Sequence, residues 1–176
     1  MTRDPDWLRE HIVDVPDFPE PGVVFKDLTP LLAHVDAFRF TVDALADHYA
    51  GIGVDLVVGV EARGFVLAAP LAYRLGVGLV PARKPGKLPR RAVSQAYDLE
   101  YGADTLEMHH DAIGPGDRVL LIDDVLATGG TAAAAAEMIA QTGAEILGVG
   151  VLMELAFLAG RERLDGYDVH AVLVYE

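Results

Sequence analysis

Two adjacent carboxylates followed by a turn of small residues form the most chemically pointed stretch of this chain: Val119-Leu120-Leu121-Ile122-Asp123-Asp124-Val125-Leu126-Ala127-Thr128-Gly129-Gly130-Thr131. Ala127, Gly129 and Gly130 let the backbone approach an anion closely, Thr128 and Thr131 add hydroxyls, and the unpaired N–H groups of a helix start favour negative charge. A phosphate suits that turn. Asp123 and Asp124 would repel phosphate, and suit instead sugar hydroxyls or the waters around a divalent cation. The two halves therefore read different parts of one ligand. Capping and tight turn geometry alone could also use Asp and Gly here, but would not need two carboxylates, two hydroxyls and two glycines together. A second concentration of chemistry is basic: Arg83, Lys84, Lys87, Arg90 and Arg91 are five of only 14 Lys and Arg residues in a chain of net charge −13. Such local contrast points to a small anionic ligand, whereas the overall charge excludes a nucleic-acid partner. No Gly-x-x-x-x-Gly-Lys-Ser/Thr occurs, and Gly76-Val77-Gly78 lacks the third glycine of a dinucleotide fingerprint.

The elements that must carry these groups follow from periodicity. Val119 to Asp123 reads as a buried strand and Thr131 to Thr142 as an alanine-rich helix. Upstream, apolar residues at helical spacing predict a helix over 36–50, then a strand over 54–60, a helix over 65–75 ended by Gly76, and a strand over 78–83. Residues 146–152 and 169–174 supply two more strands. Pro16, Pro19, Pro21, Gly22 and Pro30 predict an irregular covering segment over 15–30, held by packing and not by a ladder. The Pro/Gly-rich basic stretch 85–97 reads as a mobile loop. Strands alternating with helices imply an α/β fold: a mainly parallel twisted sheet flanked by helices, with ligands beyond the carboxyl ends of the strands.

Bulk composition agrees. A chain of 176 residues, 52% hydrophobic, can bury one domain core without staples, and cysteine is absent, so disulfides, thiolate metal sites and cysteine nucleophiles drop out. With no apolar leader and every apolar run cut by charge, a cytoplasmic protein without membrane spans is expected.

The run Val119–Thr131 resembles the phosphoribosyl pyrophosphate motif of the type I phosphoribosyltransferase family. Residues 18–27, 83–89 and 97–102 are similar to segments of its adenine-using members, so the likeness covers essentially the whole chain as one domain, 1–176, with a hood at about 1–34 and a flexible loop at about 84–103. The resemblance implies transfer of a phosphoribosyl group to adenine, giving AMP and pyrophosphate, in purine salvage. It implies that Glu61, Ala62, Arg63 and Gly64 receive pyrophosphate, with Arg83 and Lys87 reaching it, one of them in related dimers from the neighbouring subunit. Asp123 and Asp124 would hold the ribose hydroxyls, and Ala127, Thr128, Gly129, Gly130 and Thr131 the 5′-phosphate, with Leu126 also among the substrate-binding residues. Backbone groups of Val24 and Lys26 would read the adenine edge while Phe25 and Val125 flank its ring. Glu100 would manage the imidazole proton and Tyr101 close over the site, with Gly86 and Gly102 as hinges. Mg2+ would ride on substrate oxygens, with contacts to Asp123 and Asp124 at most through water. A homodimer is implied. Relatives often carry arginine where this chain has Lys26; a backbone contact tolerates that change. The hood argues against a 6-oxopurine substrate, and a charge of −13 against a DNA-binding regulator on the same fold.

Overall fold

A computed structural model of the chain describes residues 4–98 and 103–176. A 3-10 segment, Pro5–His11, leads into strands β1 (Val13–Pro16) and β2 (Val24–Asp27), a short helix α1 (Thr29–Ala33) and helix α2 (Val35–His48). Next come β3 (Leu56–Val60), α3 (Arg63–Leu75) and β4 (Gly78–Ala82), then a hairpin of β5 (Ala92–Asp98) and β6 (Ala103–His109). The chain continues through β7 (Arg118–Leu126), α4 (Gly130–Ala140) and β8 (Glu145–Leu155), two 3-10 turns, Ala156–Leu158 and Gly160–Leu164, and closes with β9 (Val169–Tyr175).

The central sheet has order β4-β3-β7-β8-β9 and is parallel throughout. β7 lies at its centre because its residues feed both faces: Val119 and Leu121 pack with α4 and the β5–β6 hairpin, whereas Leu120 and Ile122 pack with α2 and α3. Leu120, Leu121 and Ile122 are fully buried, and burial of each such side chain contributes about 1.5–3 kcal/mol. The alanines of α4 give that helix a flat surface; Ala134, Ala135 and Ala136 are all buried against the sheet.

Topology decides where a ligand can sit. From β3 the chain crosses through α3 to β4 on one side, and from β7 through α4 to β8 on the other. The direction reverses between β3 and β7, and a crevice opens beyond their carboxyl ends, the usual ligand position in such sheets.

Two expectations are corrected. Residues 15–30 are not ladder-free: β1 and β2 pair antiparallel from Val13↔Asp27 to Pro16↔Val24, because Pro19, Pro21 and Gly22 occupy the turn, Pro16 only ends β1 and Pro30 lies in the first turn of α1. Likewise, much of the stretch read as a loop at 85–97 belongs to β5, which pairs antiparallel with β6. Buried Tyr97, Leu106 and Met108 anchor that hairpin to the core.

Candidate active site

A cavity of about 640 Å³ fills the crevice between β3 and β7. Its walls come from the β2 hairpin (Val24, Phe25, Lys26), the β3–α3 turn (Glu61, Ala62, Arg63) and the end of β7 (Asp123, Asp124, Val125). A smaller recess of about 70 Å³ opens beside it among Leu126, Ala127, Thr128, Gly129, Gly130 and Thr131. Gly129 adopts φ +80°, so the chain swings from strand into α4 with no side chain capping the helix. The first N–H groups of α4 are left to an outside acceptor, and the aligned peptide dipoles favour an anion there. Acids and anion cradle thus meet in one concavity.

The acids differ in environment. Asp124 is buried, and its Oδ2 lies 2.7 Å from Arg63 Nε. That pair lacks hydrogen-bond alignment, and Oδ2 accepts no hydrogen bond from the protein. Asp123 accepts one from the Asp124 N–H at 2.9 Å. Burial, and after it the adjacent Asp124 charge, pushes the Asp123 carboxyl well above the ordinary range, against the opposing pull of that N–H and of Arg63. Arg63 also stands over the Phe25 ring, its guanidinium carbon 5.0 Å from the centroid, which links the hood to the sheet.

Glu61 gathers the basic segment. Its buried carboxylate accepts from Arg83 Nε at 3.1 Å and Lys84 N at 2.9 Å, and pairs with Lys87 Nζ. Desolvation alone would raise this carboxyl, but the hydrogen bond from Lys87 and those from Lys84 and Arg83 outweigh it and bring it down to about 2. Arg83 and Lys87 consequently stand behind Glu61 and do not line the cavity, whereas Lys84 does. Lys84 is tethered in turn to Tyr97 and Asp104.

Gly64 contributes space. A Cβ there would fall 2.8 Å from Asp123 Oδ1 and 3.0 Å from Ile122 O, so its lack of a side chain lets the start of α3 pack against the end of β7. In the hood, Phe25 meets Phe18 edge to face at 5.2 Å. The Lys26 ammonium turns away to Asp14, 2.6 Å distant, and to the face of Tyr175. β2 has a ladder partner on one side only, so its other edge has no strand beside it.

Sequence reasoning named Lys84 only within the basic cluster and missed Val23, Leu155 and Leu158 as cavity residues. Leu155 ends β8 at the carboxyl edge of the sheet, a position that could have drawn notice; Leu158 carries no local signal. Glu100, Tyr101 and Gly102 lie outside the described residues. A separate groove of about 560 Å³, between Trp7, Phe40, His48 and His170, contains none of the residues singled out from the sequence.

Known proteins are similar to this chain in sequence and fold. Residues 28–172 match the phosphoribosyl transferase domain. An adenine phosphoribosyltransferase of Solibacter usitatus is 57% identical over 96% of this chain and 98% of its own length. The crystal structure of adenine phosphoribosyltransferase from Thermoanaerobacter pseudethanolicus superposes with a TM-score of 0.94 at 47% identity, covering 97% of this chain and 99% of that one. The Giardia lamblia enzyme, complexed with 9-deazaadenine, superposes with a TM-score of 0.93 at 37% identity over 99% of each chain. With its switch-point cavity, paired acids and glycine-lined helix start, the chain belongs to the phosphoribosyltransferase family and, within it, to the adenine phosphoribosyltransferases.

Proposed function

We propose that this protein transfers the 5-phosphoribosyl group of phosphoribosyl pyrophosphate to N9 of adenine, yielding AMP and pyrophosphate in purine salvage. The observation that carries the reading is the meeting of Asp123, Asp124 and the turn 126–131 in one cavity roofed by the β2 hairpin. Thr128, Thr131 and the backbone N–H groups from Ala127 to Thr131 take the 5′-phosphate, and Asp123 and Asp124 accept from the ribose hydroxyls. Adenine lies between Phe25 and Val125, its edge read by the backbone of Val24 and Lys26.

In the reaction, N9 bonds to C1′ as the bond from C1′ to the pyrophosphate oxygen breaks, and that oxygen leaves with the electron pair. Positive charge growing on the sugar faces Asp123 and Asp124, while the charge of the leaving group faces Arg63 and Lys84. Electrostatic groups placed in advance are worth most where bound substrate excludes water. Arg63, whose pairing with Asp124 lacks hydrogen-bond alignment, is placed to exchange that partner for pyrophosphate. The family resemblance assigns to Glu100 the uptake of the imidazole proton, help typically worth about 10² to 10⁴-fold in rate.

The donor set suits a substrate-borne Mg2+. Among the described residues no group of three or more His, Cys, Asp or Glu could hold a metal, and this ion normally takes only one or two protein carboxylates with water and phosphate completing its shell. Asp123 and Asp124 would hold its waters, and the ion would supply charge neutralisation on the pyrophosphate. A homodimer is supported by exposed apolar side chains on α3, Val66 and Tyr73, and by exposed Leu79 on the edge strand β4. A cytoplasmic location agrees with the absence of cysteine and of any helix, among the described residues, long and apolar enough to cross a membrane. The test is incubation with phosphoribosyl pyrophosphate, magnesium and adenine, hypoxanthine or guanine in turn. AMP should form from adenine; no AMP, or faster product from a 6-oxopurine, would overturn the assignment.

A further inference from the structure

The turn that forms the anion recess is not held by its own residues alone. Gly160 lies against it so closely that a Cβ on Gly160 would collide with Ala127 O and fall 2.8 Å from Gly129 N, while a Cβ on Gly129 would collide with Gly160 O. Two backbones thus meet with no side chain between them. Gly160 follows Ala159, which adopts φ +53°, ψ +26°, a region that alanine enters only when its surroundings impose it.

What imposes it is visible one residue on. Arg161 donates from Nε to Glu154 Oε1 at 3.0 Å, from Nη2 to Glu154 Oε2 at 2.5 Å and from Nη1 to Val169 O at 2.7 Å. Glu154 is buried on β8, beside Leu126 of β7 and Val174 of β9. A planar guanidinium gripping both oxygens of a buried carboxylate fixes direction as well as distance. The fork also engages the first residue of β9, so three points of the sheet and its next strand converge on the residue after Gly160. Leu164, fully buried, seats the far end of the same 3-10 turn.

We infer that Glu154 and Arg161 form a clamp that presses the Gly160 backbone against Ala127–Gly129 and so sets the shape of the anion recess; both are positioning residues and touch no substrate. The inference rests on the reading that this recess binds the 5′-phosphate. Leu155, at the cavity wall, is held by its own β8–β9 pairing with Tyr175, so loss of the clamp acts first on the anion recess.

Steady-state kinetics on Arg161→Ala, Arg161→Lys, Glu154→Gln and Gly160→Ala, with phosphoribosyl pyrophosphate and adenine varied in turn, separates this role from general scaffolding. Each variant that melts cooperatively should show the KM for phosphoribosyl pyrophosphate raised tenfold or more and the KM for adenine within threefold of the parent. Arg161→Lys, which keeps the charge but not the fork, should fall between parent and Arg161→Ala. AMP binding measured by calorimetry should weaken in step with the first KM. Should Gly160→Ala fail to fold, Arg161→Lys decides. Unchanged KM values, or both rising equally, would overturn the clamp. A Thr128→Ala, Thr131→Ala double variant isolates the underlying reading: if it leaves the KM for phosphoribosyl pyrophosphate unchanged, the phosphate assignment falls and the clamp with it. If that control raises the KM and the clamp variants do not, the clamp alone is refuted.

Discussion

Replacing Gly64 by alanine tests whether the start of α3 and the end of β7 are packed to place Asp123. The new Cβ would lie 2.8 Å from Asp123 Oδ1, 3.0 Å from Ile122 O and 3.1 Å from Asp123 Cα. A carboxylate oxygen can swing aside, but the other two atoms are backbone of the central strand, so α3 and β7 must separate by a few tenths of an ångström. Overpacking of this kind costs about 1–3 kcal/mol. In a domain of this size each kcal/mol moves Tm by about 2–4 °C, so a fall of about 2–12 °C is expected. Catalytic groups are more sensitive, since a shift of about 1 Å can cost on the order of 10²-fold; for a few tenths we expect kcat/KM for phosphoribosyl pyrophosphate to fall about tenfold. Gly76→Ala is the control. Gly76 has φ +73° and open space where a Cβ would go, so alanine there costs about 1–2 kcal/mol of backbone strain far from the cavity and should leave kcat/KM unchanged. Differential scanning calorimetry and initial-rate assays on both variants suffice. If Gly64→Ala loses no more activity than Gly76→Ala, the packing argument for the site is wrong.

Asp123→Asn should stabilise the ligand-free protein at pH 7 while lowering turnover. Because burial raises this carboxyl, its contribution to stability is full below the ordinary carboxylate range and is lost as pH rises through the raised value. Urea unfolding should therefore favour the variant at pH 7 and show little difference near pH 3; a less stable variant at pH 7 would contradict the sign. Glu61 runs the other way: held down to about 2 by Lys87, Lys84 and Arg83, it contributes stability above its unfolded value near 4.5 that is lost as pH falls through about 2. Carbon-13 NMR of the carboxyl should show it ionised at pH 4, and a midpoint near 4.5 would remove the ion cluster. The proposed homodimer should sediment as such, and Tyr73→Glu, at a side chain 90% exposed on α3, should shift it to monomer; a monomeric parent would refute the dimer, and an unchanged dimer would place the interface elsewhere.

Much of the site was legible because its signals are local. Val119 to Thr131 states its own geometry: four apolar residues bury a strand, two acids sit where it emerges, and glycines turn it into a helix. Arg63 and Glu61 were reachable through the family likeness, but their actual partners were not, since the pairing of Arg63 with Asp124 and of Glu61 with Lys87 spans dozens of residues. The hood and the β5–β6 hairpin were misread for a related reason. Pro19 and Pro21 mark where a ladder turns and Pro16 ends its first strand, and the same residues were taken to exclude one. In β6, buried Leu106 and Met108 alternate with Thr105 and Glu107, a period-two signal outweighed by the proline and glycine of the stretch before it. Gly160 gives no sign in one dimension of facing Gly129, because that contact arises only when β7 and β8 lie side by side.

The most direct measurement is a crystal structure of the protein with AMP. The account requires the 5′-phosphate among the N–H groups of Ala127 to Thr131, the ribose hydroxyls within hydrogen-bond reach of Asp123 and Asp124, and the base between Phe25 and Val125. Nucleotide bound in the groove beside Trp7 and Phe40, or in the cavity with its phosphate turned toward Arg63 and away from the α4 start, would contradict it.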